Sequence, residues 1–190
     1  MGKQPNIAWS QIKAELKQWD AARLTGLVQD LFEHSQDNRD FLAARLLRDA
    51  IGSQVLAPYV KRIKAAYYDK TGDMARRLNH KDVRSAIREY HRATGDLAGV
   101  LELLVVHVEV GTKFTREFGD IDEPFYDSLE TSLYEAKKLL LSEEGRALYP
   151  RVKDRLAALL PKVKNIGWGY GDSVRDVEDE LQHKLGESAT

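Results

Sequence analysis

The sequence predicts an all-α protein, and three observations carry that prediction. Apolar residues recur at steps of three and four along most of the chain. Glycine followed by aspartate, a pair suited to ending one helix and capping the next, occurs at 72–73, 95–96, 119–120 and 171–172. No Gly/Ser-rich linker or low-complexity tract interrupts the 190 residues. They are therefore expected to form one domain, 1–190, long enough to bury a core without disulfide or metal staples. The expected architecture is about seven to nine helices in antiparallel hairpins, packed as a bundle or a short helical-repeat-like array.

Each element has its own signal. The N-terminus lacks the apolar core of a secretory signal, and Asn6 stands where a myristoylation signal following Met1-Gly2 wants serine or threonine. Leu24, Leu27, Val28, Leu31 and Phe32 mark a helix that Asp20 is placed to cap. Pro58 and Pro150 suit first helical turns or kinks. Next comes a basic stretch, where Arg77, Lys81, Arg84, Arg88 and Arg92 would share one face of a continuous helix, with His80 and His91 adjoining.

Leu97, Val100, Leu101, Leu104, Val105 and Val108 then follow a helical pattern. Val106, Val108 and Val110 also alternate as in a strand, but the pattern runs on through Phe114, too far for a typical strand. A central buried helix is expected, with His107 partly buried in it or at an interface. Phe125, Leu129, Leu133, Ala136 and Leu140 form the stripe of the following helix, and Val152, Leu156, Leu159 and Leu160 mark another. In Asn165–Asp176, glycines are expected to end a helix, Trp168 and Tyr170 to pack back, and Asp172 to cap the last helix. "TGDMARRL" and "TGDLAGVL" echo one another, but no recognised repeat period covers the chain.

Several chemistries are excluded. Without cysteine there are no disulfides, thiolate metal sites or cysteine nucleophiles. There is no nucleophile-elbow motif and no His-Glu-x-x-His, and a single Glu180-x-x-His183 is too little for a helical di-iron site. The glycines near Trp168 fit neither a dinucleotide-binding nor a P-loop pattern. The longest apolar run, Leu97–Gly111, is broken by Glu102, His107 and Glu109 and is too short to span a bilayer. A soluble cytoplasmic protein without a cofactor is expected.

Net charge is −1, but its distribution is uneven. Residues 61–92 hold ten Lys/Arg against four Asp/Glu, whereas 101–145 hold four against eleven. The basic ridge has the spacing to meet phosphates, or to face the acidic segment of its own chain. The acidic segment contains "FGDIDEPFYDSLE", residues 118–130, with five carboxylates. An EF-hand counted from Asp120 would need a ligand where Pro124 stands, glycine at Phe125 and glutamate at Thr131, so that reading fails. A looser cation site could use Asp120, Asp122 and Glu123. The architectural reading makes Asp120 or Asp122 a helix cap, with Pro124 in the first turn and Glu123, Asp127 and Glu130 on the solvated face.

The run "VEVGTKFTREFGDIDEPFYDSLETSLYEAKKLL", together with "LVQDLFEHSQDNRDFL" and "IGWGYGDSVRDVEDEL", resembles a family of small bacterial proteins known as a domain of unknown function. The resemblance implies an all-helical fold and supplies no activity, cofactor or site residue. The favoured functional expectation is a non-enzymatic interaction or adaptor protein with an unknown protein partner. The first alternative is polyanion or nucleic-acid binding through Arg77, Lys81, Arg84, Arg88 and Arg92. The second is metal-dependent activity at Asp120, Asp122 and Glu123.

Overall fold

The computed structural model describes residues 7–47 and 52–186; Met1, Gly2 and Asn6 lie outside them. Among the described residues nine α-helices follow one another: α1 (Trp9–Leu16), α2 (Ala21–His34), α3 (Gln36–Leu46), α4 (Ala57–Ala65), α5 (His80–Thr94), α6 (Leu97–Phe118), α7 (Glu123–Leu140), α8 (Tyr149–Ala157) and α9 (Tyr170–Leu185). No strand is formed there beyond one isolated bridge between Tyr68 and Met74. None of these helices is long and apolar enough to cross a membrane.

The core is organised around α6. Gly95 takes a left-handed conformation (φ 64°) and closes α5, and the Asp96 carboxylate accepts from the Ala98 N–H to open α6. Helix α6 buries residues all round: Leu101, Leu103, Leu104, Val105, Val108 and Phe114 are sealed. That is the pattern of a helix enclosed by neighbours rather than laid on a surface. Only its last turns open to solvent, at Lys113, Arg116 and Glu117. Helix α7 lies against it with Phe125, Leu129, Leu133, Ala136 and Leu140, all buried. Each of the leucines and the phenylalanine contributes about 1.5–3 kcal/mol when fully removed from water.

Thr115 meets Tyr126, Leu129 lies over Gly111, and His107 meets Ser132. As the α6 number falls the α7 number rises, so the two helices run antiparallel. A Cβ added at Gly111 would overlap a Leu129 methyl, so glycine sets how closely they approach. Helix α9 then covers α7 in the same direction, since Glu130 meets Ser173 and Lys137 meets Glu180. Tyr67, Phe114 and Phe125 form an aromatic centre at 5.5–5.9 Å between rings.

Five local expectations need correction. Arg77 precedes α5, which begins at His80 with the Asn79 side chain accepting from the Asp82 N–H. Gly72-Asp73 joins no two helices. It sits in the loop between α4 and α5, where Asp69 accepts from the Thr71 N–H and hydroxyl and from the Asp73 N–H, so the two Thr-Gly-Asp echoes are not structurally equivalent. Helix α8 ends at Ala157, leaving Leu159 and Leu160 in the turn that follows. At the start of α9 the left-handed residue is Gly169 (φ 74°), while Asp172 lies within the first turn and pairs with Arg175. Tyr170 packs inward as expected, its hydroxyl 2.7 Å from that of Thr112, but Trp168 is 56% exposed.

Candidate interaction surface

The N-terminal helices leave their apolar face open. Asp20 caps α2 by accepting from the Arg23 N–H, and the predicted stripe forms, yet Leu24, Val28, Leu31 and Phe32 remain 37–46% exposed. Trp9 and Ile12 of α1 are exposed as well. Helix α2 is tied to α3 through the Ser35 cap and by the Asn38 amide, which donates to the Leu31 carbonyl. Helix α3 is tied in turn to α5, where the Arg45 guanidinium donates to the Arg92 and Ala93 carbonyls. Nothing described lies over the outer side of α2.

Between these elements runs a groove of about 480 Å³. Leu31, Phe41 and Leu42 supply its apolar wall, and Glu89 and Arg92 of α5 the opposite one, with Asp37 and Asn38 at its margin. Arg92 stands 5.7 Å from the Phe41 ring, a cation–π contact that bridges the two walls. The carboxylates beside the groove have an internal partner. Arg62 of α4 donates to Glu89 at 2.7 Å and to Asp82 at 2.8 Å, and Asp37 lies at 4.0 Å. Burial works against the Glu89 carboxylate, but hydrogen bonds from Arg62 and Ser85 outweigh it and hold its pKa below the ordinary value.

The basic ridge is exposed rather than covered by the acidic segment. Lys81, Arg84, Arg88 and Arg92 lie on the outer face of α5, and Arg77 is exposed in the preceding loop. None of the five forms an ion pair with a described residue. Arg84 shares a shallow cleft with Asp127 and Glu130 of α7, and Arg92 lines the groove with Asp37 and Glu89. His80, one turn before Arg84, turns its ring toward the core. It is half-buried at the start of α5, its ring 6.0 Å from Tyr67 and 5.9 Å from Phe125.

The acidic turn is architecture. The Asp122 carboxylate caps α7 by accepting from the Phe125 N–H at 3.1 Å, with Pro124 in the first turn. Asp120 is no cap. Its Oδ1 accepts from the Tyr126 hydroxyl at 2.7 Å and the Gly167 N–H at 3.3 Å, fastening the α6–α7 turn to the segment before α9. Glu123 points to solvent. Among the described residues no group of three or more His, Cys, Asp or Glu side chains is placed to hold a metal ion.

His107 is sealed. One ring nitrogen lies 2.5 Å from the Tyr67 hydroxyl and the other 2.7 Å from the Ser132 hydroxyl, so both are occupied inside the core. Burial, with Arg84 and His80 nearby, pushes its pKa down to about 3. It therefore stays neutral and acts as a polar strut between α6, α7 and the end of α4. No family model, curated protein or solved structure matches the chain.

Proposed function

We propose that this chain is a non-enzymatic protein-interaction module that receives a helical segment of a partner protein along the exposed face of α2. The observation that carries the proposal is the contiguous run of Leu24, Val28, Leu31 and Phe32, left open beside a groove whose far wall is another helix. An apolar stripe at helical spacing beside a concavity is the shape in which helix-in-groove recognition works. Burying the exposed remainder of two such side chains, 37–46% of each, would contribute about 1–3 kcal/mol before the entropic cost of docking.

The non-enzymatic reading is supported by where the polar groups go. His107, Asp120 and Asp122 are each bound to neighbouring groups in the fold, and Glu89 of the groove is held by Arg62.

The test is selection of displayed amphipathic helical peptides on the immobilised full-length chain, repeated with a Val28→Ser/Leu31→Ser variant. Both positions are exposed, so the variant keeps its helical circular dichroism and its melting temperature stays close to that of the parent. Peptides recovered on the parent and lost on the variant support docking at α2. Recovery unchanged by the variant, or no recovery from either, refutes it. Mass that rises with concentration and falls in the variant would assign the face to a second copy instead.

A further inference from the structure

The turn between α8 and α9 carries features that docking at α2 does not use. We propose that this turn and the end of α6 form a binding site for single-stranded nucleic acid, in which a base stacks on Trp168 and phosphates meet Lys113, Arg116 and Lys162. Trp168 is 56% exposed, although Val163 and Tyr170 on either side of it are sealed. Its backbone is left-handed (φ 61°), as is that of Asn165 (φ 65°), and these are the two non-glycine residues with positive φ among those described. Such a conformation costs free energy that the surrounding fold must supply, and residues held in it gather at binding sites. The Gly167 N–H, donating to Asp120, pins the turn to the chain leaving α6.

A cleft of about 450 Å³ lies beside the last turns of α6, lined by Glu109, Lys113, Arg116, Glu117 and Lys162. Its carboxylates are engaged. Glu109 accepts from the Arg155 guanidinium at 2.9 and 2.7 Å, and Glu117 from the Tyr68 hydroxyl at 3.2 Å. Its cations are not: Lys113 stands 5.5 Å from the Tyr68 ring, and neither it nor Arg116 nor Lys162 forms an ion pair with a described residue. Arg155 also holds Glu102, and Lys164, exposed and unpaired in the same turn, widens the surplus of positive charge. One segment therefore carries a cation beside the cleft, at Lys162, and an open aromatic face beyond Gly167. Cations that follow a backbone, with an aromatic on which any base can stack, are what single-strand recognition requires. The α5 ridge lacks both conditions, since Arg84 and Arg92 each share a cleft with two carboxylates and Tyr90 is buried.

The experiment titrates a labelled single-stranded oligonucleotide, the same sequence as a duplex, and labelled heparin. Fluorescence anisotropy at low salt is read against the full-length chain, Trp168→Ala and Arg116→Glu/Lys162→Glu. All three positions are exposed, so the variants should keep the circular dichroism and melting temperature of the parent. The single strand should bind the parent more tightly than the duplex does, and added salt should weaken it. Trp168→Ala should weaken the single strand at least about fivefold and leave heparin unchanged, whereas the charge reversal should weaken both. Tryptophan emission should be quenched by the oligonucleotide in the parent and not in Trp168→Ala. No binding of the single strand, or binding that neither variant changes, overturns the proposal. Equal binding of all three probes, indifferent to Trp168→Ala and lost on charge reversal, leaves a general polyanion surface and overturns it too. Val28→Ser/Leu31→Ser should bind the oligonucleotide as the parent does; loss of binding there would place the strand on α2 and overturn the assignment.

Discussion

Acidification should weaken this fold through His107, and the size of the effect follows from its surroundings. The ring is fully buried, bridged to Tyr67 and Ser132, with a pKa of about 3 against 6.5 when exposed. Between those values the unfolded chain binds a proton at this residue and the folded chain does not. The stabilisation is fully present above pH 6.5 and is lost as pH falls toward 3. The slope is about 1.4 kcal/mol per pH unit once the unfolded histidine is protonated, so about 2–3 kcal/mol is lost by pH 4.5.

Urea unfolding of the parent and of His107→Gln at pH 7.5, 6, 5 and about 4.5 would isolate the contribution from other groups. The variant is less stable at pH 7.5, because a buried strut has been changed, and the gap between the two proteins narrows as pH falls. Parallel pH curves for the two proteins would refute the reasoning.

Other substitutions probe other supports. Glu178 of α9 is buried with one carboxylate oxygen unpartnered, and burial raises its pKa above the ordinary value. Its ionised form is therefore disfavoured in the fold, and stability is lost as pH rises through that raised pKa. Glu178→Gln should raise the melting temperature at pH 8 and do little near pH 4, whereas a lower melting temperature at pH 8 would contradict the assignment. Gly111→Ala drives a methyl into the Leu129 side chain and should cost about 1–3 kcal/mol in denaturant unfolding, with a neutral result showing that α6 and α7 can separate freely. Asp120→Ala removes the acceptor of the Tyr126 hydroxyl and the Gly167 N–H and should cost about 1–3 kcal/mol. That loss should be the same in calcium, magnesium or chelator; a melting temperature of the parent that rises with either cation would restore the metal reading.

Much of the architecture was legible because it rests on local chemistry. Asp20, Asp96 and Asp122 each cap the helix that follows, and Pro58 and Pro150 sit in first turns. The long apolar run of α6 identified the buried centre, and the Phe125–Leu140 stripe identified its partner. What escaped depends on contacts distant in sequence. Periodicity shows that Leu24, Val28, Leu31 and Phe32 share a face, but not whether another element covers it. Spacing placed Arg77 on the ridge, because nothing in the numbering shows that Asn79 caps the helix two residues later. Asp120 could be read as a cap or a ligand, and only the fold brings Tyr126 and Gly167 to its carboxylate. The groove itself was invisible, since its walls come from Leu31, Phe41 and Arg92 on three separate helices.

The central claim is that α2, α3 and the outer face of α5 form one docking surface, and amide hydrogen exchange tests it most directly. With a helical peptide selected on the full-length chain saturating it, added protection should be confined to α2, α3 and the half of α5 that carries Glu89 and Arg92. Protection centred on α8 and α9, or no change in α2 while the peptide is bound, would contradict it.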